Sequence, residues 1–200
     1  AAPEIGFLFP AFDNRSTNIY NALYYTHSPK QSHEAFAANI FRTEIPKPAF
    51  EQKKSFEALL GGSLGDECSM EVVQSVHDQI SQRIELHKES KVPDPLMVSK
   101  GDVKEILSSC GISEANIAKF SIDYDEIFGF EAELYPKNII DDRRFEVKTP
   151  DVSIKVAPDK ADLIETRIIG GVKYILICAE EDVEVNGVTI RIGDGEAALV

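Results

Sequence analysis

Residues 163–178, LIETRIIGGVKYILIC, form two apolar β-strand patterns on either side of the dipeptide Gly170-Gly171. A two-glycine connection suits the primed β-turns, whose twist matches that of the strands they join. The segment therefore predicts a β-hairpin with strands from Leu163 to Ile169 and from Val172 to Cys178. This hairpin decides the architecture of the C-terminal part of the chain. Its pattern by itself indicates no catalytic or binding residue.

Two further segments predict neighbouring strands. Asn186-Gly187 joins residues 183–185 to residues 188–192, which is a second hairpin pattern. Val152 to Val156 alternates apolar and polar residues, as a strand with one buried face does. Together these segments predict a C-terminal antiparallel sheet of four to five strands with tight hairpins.

Short strands and then about five helices are predicted upstream of the sheet. The strands lie near residues 5–12 and 19–26, and the helices cover residues 28–41, 49–60, about 20 residues after Ser69, 99–111 and 113–129. We expect Gly61-Gly62 to end the second helix, since glycine commonly follows a helix C-terminus. The order of strands, helices and strands predicts an α+β fold with the helices packed on the C-terminal sheet.

The best internal boundary is the connector Val92-Pro93-Asp94-Pro95, which two prolines make rigid. It separates a strand-plus-helix region, residues 1–92, from a helical hairpin plus antiparallel sheet, residues 96–192. One continuous domain remains an alternative. Residues 193–200 form a tail that we expect to be disordered. Because the sequence begins without Met and enters a strand pattern at once, we expect a piece of a longer intracellular protein.

Composition limits the classes of partner. The chain has 200 residues and a formal net charge of −13, so nucleic acids and anionic membrane surfaces would be repelled. No apolar run approaches the roughly 18 residues of a membrane span. The three cysteines are far apart and odd in number, which favours free thiols in a reducing compartment. We therefore expect a cytoplasmic protein.

The candidate catalytic residues are Cys68, His77 and Asp78. Cys68 precedes the predicted helix cap Ser69, where helix amides can lower a thiol pKa. Asp66 and Glu67 oppose this effect, because adjacent negative charge disfavours the thiolate. A metal-dependent hydrolase that uses this neighbourhood is the first alternative function. The preferred interpretation is a packed loop thiol and a hydrogen-bonded helix histidine.

The candidate metal ligands are Asp66, His77 and Asp123, since carboxylates and imidazole are common ligands. Asp123 belongs to the acidic run Asp123-Tyr124-Asp125-Glu126, which is more simply the solvated face of a helix. No dinucleotide, P-loop, nucleophile-elbow or zinc-protease motif occurs in the sequence. We therefore expect no bound metal and no cofactor.

A helix-turn-helix is the second alternative. Residues 102–109 and 114–128, joined by residues 110–113, have its proportions. Acidic residues outnumber lysines in this segment, whereas a DNA-binding helix pair should be basic where it meets phosphate. A packed helical hairpin is preferred, and nucleic-acid binding is disfavoured.

Aromatic residues crowd into the first 25 positions and are candidates for an interface. They would mark an interdomain or oligomer contact if another region covered them, or else fill the core beneath the helices. These interface candidates are Phe7, Phe9, Phe12, Tyr20, Tyr24 and Tyr25.

Several motifs carry a resemblance to a known family. They are GFLFPAF (residues 6–12) with Arg15-Ser16-Thr17, LGDEC (64–68), KTPDV (148–152), DLIETR (162–167) and VEVNGV (183–188). With these motifs the chain resembles an uncharacterised domain-of-unknown-function family of Firmicutes, of the clostridial kind. The resemblance implies the C-terminal half of a longer bacterial protein, and it implies no activity, cofactor or catalytic residue.

The leading hypothesis is a non-enzymatic interaction or structural domain of a larger bacterial cytoplasmic protein. It follows from a chain rich in core and turn signals and poor in convergent polar residues. The expected partners are the missing N-terminal half of the same protein, another protein, or further copies of this chain.

Overall fold

The structure is a computed structural model, and it describes residues 3–12, 17–18, 22–28, 31–42, 45, 47–179 and 182–192. The chain divides into two compact units, Ala1–Asp142 and Arg143–Val200. The predicted tail, residues 193–200, lies outside the described residues.

The first unit begins with short strands and continues with five α-helices. Its strands are β1 (Ile5–Leu8), β2 (Ala11–Phe12), β3 (Thr17–Asn18), β4 (Leu23–Thr26), β5 (Val98–Ser99) and β6 (Glu133–Leu134). Its helices are α1 (Glu34–Phe41), α2 (Ala49–Leu64), α3 (Met70–Ser90), α4 (Lys100–Ser109) and α5 (Glu114–Phe128). Short 3-10 turns occupy Gly65–Glu67 and Pro136–Asn138.

One apolar cluster holds helices α2 to α5 together. The helices present apolar side chains every three or four residues, so each has a stripe that must be buried. The most deeply buried members include Phe56, Leu59 and Leu64 of α2, Val76 and Ile80 of α3, Val103, Ile106 and Leu107 of α4, and Phe120 and Tyr124 of α5. The cluster contains residues from both sides of the proline connector 92–95, and all of its residues belong to the first unit.

Three serines begin three helices as their sequence positions predict. Ser69, Ser99 and Ser113 each accept a hydrogen bond from the backbone N–H three residues ahead. This satisfies a donor that the first turn of a helix leaves without an intrahelical partner. At Ser99 the arrangement is a full capping box, because the Asp102 carboxylate also accepts from the Ser99 backbone N–H.

Two predicted helix ends are wrong. The first helix begins at Glu34, not near Ser28, because His33 has a φ of +51°, which interrupts the helical backbone just before Glu34. The second helix passes through Gly61-Gly62 and ends at Gly65, which has a φ of +52°. The reason is packing: Ser63 and Leu64 are buried in the final turn, and their burial outweighs the low helix propensity of two glycines.

The second unit consists of hairpins. Its strands are β7 (Phe145–Lys148), β8 (Ser153–Val156), β9 (Ile164–Ile169), β10 (Val172–Ile177), β11 (Val183–Val185) and β12 (Val188–Ile190). They pair antiparallel as β7 with β8, β9 with β10, and β11 with β12. The predicted α+β class and hairpins are confirmed, and the described strands pair two by two.

Both dipeptide turns adopt the predicted conformation. Gly170 and Gly171 have φ values of +58° and +81°, and Asn186 and Gly187 have +51° and +80°. Positive φ at both central residues defines the primed turn that joins strands most tightly. The pairs Ile169–Val172 and Val185–Val188 close the two hairpins.

Two glycine-to-alanine substitutions test the backbone conformations of Gly61, which is helical, and Gly171, which has a positive φ. Gly61→Ala should raise the free energy of unfolding by about 0.5–1 kcal/mol, since Gly61 is helical and an added methyl group meets nothing within 4 Å. Gly171→Ala should lower it by about 1 kcal/mol, because alanine resists positive φ. Urea unfolding of both variants measures the two signs, and two changes of the same sign would contradict the assignment.

The capping box predicts a specific loss of stability. Ser99→Ala should cost about 1 kcal/mol, because the first turn of α4 loses its cap. Ser108→Ala, on the exposed side of the same helix, is the matched control and should change stability by less than about 0.5 kcal/mol. Equal effects in thermal or urea unfolding would show that the cap contributes nothing.

Asp102 adds a pH dependence. Burial raises the pKa of Asp102, but hydrogen bonds from Ser99 and Arg83 outweigh this and hold it below its usual 3.8. A carboxyl whose folded pKa is lowered contributes stability above its unfolded pKa and loses it as pH falls through the folded value. The stability difference between wild type and Asp102→Asn should therefore shrink below about pH 4 in urea unfolding. A difference that is constant with pH would contradict this assignment.

Candidate interaction surfaces

Cys68 lies at the end of the 3-10 turn before α3 and packs, partly buried, against the apolar cluster. Burial raises the pKa of the Cys68 thiol, which keeps it protonated at neutral pH. The local geometry of Cys68 is that of a packing side chain, and the Ser69 cap beside it serves Val72.

His77 and Asp78 are adjacent on α3 but lie in different environments. His77 is buried, and its Nε2 lies 2.7 Å from the Asp141 carbonyl oxygen. A carbonyl only accepts, so Nε2 carries the proton and donates it. The Asp78 carboxylate is half exposed, 3.6 Å from His77 Nδ1. The histidine thus connects α3 to the end of the first unit.

The remaining acidic candidates have separate positions. Asp66 is exposed, whereas Glu67 accepts a hydrogen bond from the Ser113 backbone N–H at 2.9 Å, and this bond lowers the pKa of Glu67. Asp123 accepts a 2.7 Å hydrogen bond from the Ser63 hydroxyl. Within the described residues, no group of three or more His, Cys, Asp or Glu is placed to hold a metal ion.

A cleft of about 540 Å³ lies beside the C-terminal end of α5. Two of its charged groups, Asp125 and Lys47, contact other residues of the protein. Asp125 accepts two hydrogen bonds from Lys100 Nζ, at 2.6 and 2.7 Å, and Lys47 Nζ lies 5.5 Å from the centre of the Phe128 ring. In the cleft, Lys100 therefore neutralises the Asp125 carboxylate, and Lys47 lies over one face of the Phe128 ring.

Two lysines of the helix pair α4–α5 bind groups within the protein. Lys100 pairs with Asp125, and Lys119 donates a 2.6 Å hydrogen bond to the Gly62 carbonyl. Each contact fixes α5 against a neighbouring element, as expected of a packed helical hairpin.

Among the helices of the described residues, none combines the length and the hydropathy that a membrane span requires.

The N-terminal hairpin β1–β4 has two different faces. Antiparallel register places Phe7 opposite Tyr24 on one face, and these rings contact Phe41 and Phe36 of α1 at centroid distances of 5.4 and 6.2 Å. The opposite face carries Leu8, Leu23 and Tyr25, all exposed, with Leu23 at 61%. We call these three residues the outer face.

The structure thus divides the aromatic interface candidates. Tyr24 is partly buried against α1, whereas Phe9 and Tyr25 are exposed; Phe7 contacts α1 and is still half exposed. Tyr20 and the side chain of Phe12 lie outside the described residues.

Exposed apolar side chains also occur on the C-terminal hairpins. In β11–β12 one face carries Val183, Val185, Val188 and Ile190, and the last three are exposed. In β9–β10 the exposed residues are Ile168, Val172, Tyr174 and Ile177, with Ile168 at 71%. Apolar side chains on both faces are typical of strands covered on both sides.

Sequence reasoning missed Leu8, Leu23 and the C-terminal hairpin faces. The sequence predicted an interface from aromatic residues alone, and aliphatic residues in a strand pattern were predicted to be part of a core. A sequence signal for such a surface was present in β11–β12. These two strands have three residues each, and together they carry a complete apolar face. So short a hairpin cannot bury that face by itself.

Residues 1–188 match a protein family described as a domain of unknown function, DUF4317. No curated protein and no solved structure matches the chain.

Substitution of His77 tests its structural role. His77→Phe keeps most of the ring volume and removes the hydrogen bond to Asp141, so it should cost about 1–3 kcal/mol. Asp78→Asn changes the neighbouring half-exposed carboxylate and should cost less than about 0.5 kcal/mol. Urea unfolding of both variants decides, and a larger effect at Asp78 would overturn the assignment.

Proposed function

We propose that this chain, which belongs to the DUF4317 family of unknown function, is a non-enzymatic protein-interaction domain. Its contact surfaces would be the exposed hairpin faces. We also infer that it works within a larger bacterial cytoplasmic protein, as the resemblance to a Firmicutes family implies.

The observation that carries the proposal is the uneven distribution of buried apolar surface. Helices α2 to α5 bury most of their large apolar side chains in one cluster, and Ile80, Val103, Leu107, Phe120 and Tyr124 are 0% exposed. The apolar residues that these helices leave exposed are Phe50, Val73, Leu86 and Ile122. The hairpins instead leave Leu8, Leu23, Tyr25, Ile168, Val185 and Val188 exposed. Contiguous exposed apolar patches mark surfaces that another chain covers.

The outer face shows how a partner would complete the fold. Helix α1 covers one side of β1–β4 through the ring contacts of Phe7 and Tyr24. Nothing among the described residues covers the other side to the same extent, since Leu8, Leu23 and Tyr25 are each about half exposed or more. Full burial of each such side chain contributes roughly 1.5–3 kcal/mol, so a partner on the outer face would gain substantially.

Charge favours a protein partner. The net charge of −13 opposes binding to nucleic acids and anionic lipid surfaces. The outer face itself is uncharged, with Gly6 opposite Tyr25 and Leu8 opposite Leu23. An uncharged apolar strand face suits the apolar face of another polypeptide, such as a further region of the same protein.

The enzyme alternative has less support. Cys68 has a raised pKa, Glu67 is bound to Ser113, and His77 donates to a backbone carbonyl. Each of these side chains makes a local structural contact, Glu67 and Cys68 at the 3-10 turn before α3 and His77 within α3.

The experiment compares capture of partners by the wild-type chain and by an outer-face variant, Leu8→Thr/Leu23→Thr/Tyr25→Thr. Threonine keeps strand propensity and removes most of the apolar area, so affinity for the partner should fall at least about tenfold. The matched control is Leu86→Gln/Ile122→Thr, which removes exposed apolar residues from helices α3 and α5.

The readout is cross-linking and pull-down from the source cells, followed by titration of the captured protein in purified form. Circular dichroism establishes that both variants are folded. A partner that binds the wild type and the helix control but not the outer-face variant supports the proposal. Equal binding to all three would overturn the assignment of this face.

A further inference from the structure

We propose that strand β9 is a self-pairing edge, which joins antiparallel to β9 of a second copy of this chain. The inference deepens the proposed interaction function by naming one partner and one register. It depends on the backbone geometry and charge order of residues 164–168, IETRI.

The turn determines which backbone groups of β9 face outward. A two-residue hairpin turn makes Ile169 and Val172 a hydrogen-bonded pair, so alternate residues of β9 face β10. The Cys178 N–H donates to the Leu163 carbonyl at 2.8 Å, which continues the same alternation. Leu163, Glu165, Arg167 and Ile169 therefore direct their N–H and C=O groups toward β10.

Ile164, Thr166 and Ile168 direct their backbone groups to the other side of β9. Among the described strands, β9 pairs with β10 alone, so this side is a free edge. Glu165 to Ile168 are all exposed, and the edge is accessible. A free strand edge is a template for another strand, and a two-stranded hairpin gains stability from further strands.

The order of residues on this edge is self-complementary. An antiparallel pair with its two-fold axis at Thr166 places Glu165 of each copy opposite Arg167 of the other, and Ile164 opposite Ile168. Directly opposed residues lie on the same face of the sheet, so both charge pairs are in contact. The Ile164 side chain is already buried within its own chain, at 3% exposure, so the charge pairs determine the register. In the single chain, Arg167 already binds the Glu165 carboxylate at 2.8 and 3.0 Å.

The same register pairs most of the outward backbone groups of β9. Thr166 would exchange two hydrogen bonds with Thr166 of the other copy, and each Ile168 N–H would donate to the opposite Ile164 carbonyl. The Ile164 N–H is not needed, because it donates to the Ala161 carbonyl within the chain. The result is a four-stranded sheet, β10-β9-β9-β10.

Charge order selects a second copy in this register. Exposed ion pairs contribute little affinity, but like charges at the same positions oppose pairing, so the pattern acts mainly on specificity. A shift of one residue would bring Thr166 opposite Arg167 or Glu165 and lose both charge pairs. Self-association is therefore expected to be weak and specific.

Two single charge reversals test the register. Arg167→Glu places only glutamates, and Glu165→Arg only arginines, at the four charged positions of the pair. Each variant alone should self-associate at least about tenfold more weakly than wild type, since both cross-strand pairs become repulsive. An equimolar mixture should recover association as a heterodimer, because each glutamate again meets an arginine.

The mixture separates pairing between chains from the pair within one chain, which neither variant can form. Sedimentation velocity over about 1–300 μM total chain measures the dissociation constants. Native mass spectrometry identifies the heterodimer in the mixture. Any one of three results would overturn the proposal. The wild type could be monomeric over this range, the single variants could associate as the wild type does, or the mixture could form no heterodimer.

A backbone variant provides an independent measurement. Thr166→Pro removes an outward N–H and should abolish association, and proline is tolerated at a strand edge. Thr189→Pro is the matched control. Val185 and Val188 form the hydrogen-bonded pair next to the turn, so the backbone groups of Thr189 point away from β11. Loss of association in the control alone would contradict the β9 assignment. If Thr166→Pro fails to fold, the charge variants decide.

The two proposals fail separately. Monomeric behaviour would overturn β9 self-pairing and leave binding of another protein to the outer face of β1–β4 unaffected. Conversely, the charge-reversal series requires no outer-face partner. The Leu8→Thr/Leu23→Thr/Tyr25→Thr variant should self-associate like wild type.

Discussion

The helical core depends on the burial of Tyr124 and on the two aspartates beside it. Tyr124 is fully buried, and its hydroxyl donates to the Ala132 carbonyl at 2.9 Å. Burial, and then the negative charges of Glu133, Asp125 and Asp102, raise the pKa of Tyr124 to about 12. The phenol therefore remains a neutral donor under ordinary conditions. On one side Asp123 connects α5 to α2 through Ser63, and on the other Asp125 connects α5 to α4 through Lys100.

In this arrangement Asp123 and Asp125 of the acidic run both make contacts that hold helices together. Three consecutive residues on α5 point in three directions around the helix and contact α2, the loop after α5, and α4. Carboxylates that accept hydrogen bonds from a hydroxyl and an ammonium have their charge satisfied within the protein. The charge of the run is thereby used to orient helices.

The hairpins obey a different constraint. A two-residue primed turn brings its strands together locally, and no distant element is needed for that step. Two strands nevertheless leave edges without partners and faces without cover, as β9 and β11–β12 show among the described residues. The helical part of the chain buries most of its apolar side chains in one cluster, whereas the hairpins leave more of theirs exposed.

The sequence by itself determined the features that depend on a few adjacent residues. Ser69, Ser99 and Ser113 predicted helix starts, and Gly170-Gly171 and Asn186-Gly187 predicted turns, because caps and primed turns are local hydrogen-bond and φ requirements. The tertiary structure alone decided that α2 continues through Gly61-Gly62, that His77 bonds to Asp141, and that Tyr24 faces α1 while Tyr25 faces outward. Burial and hydrogen bonds between residues far apart in sequence settle such questions, and their energies outweigh local propensity.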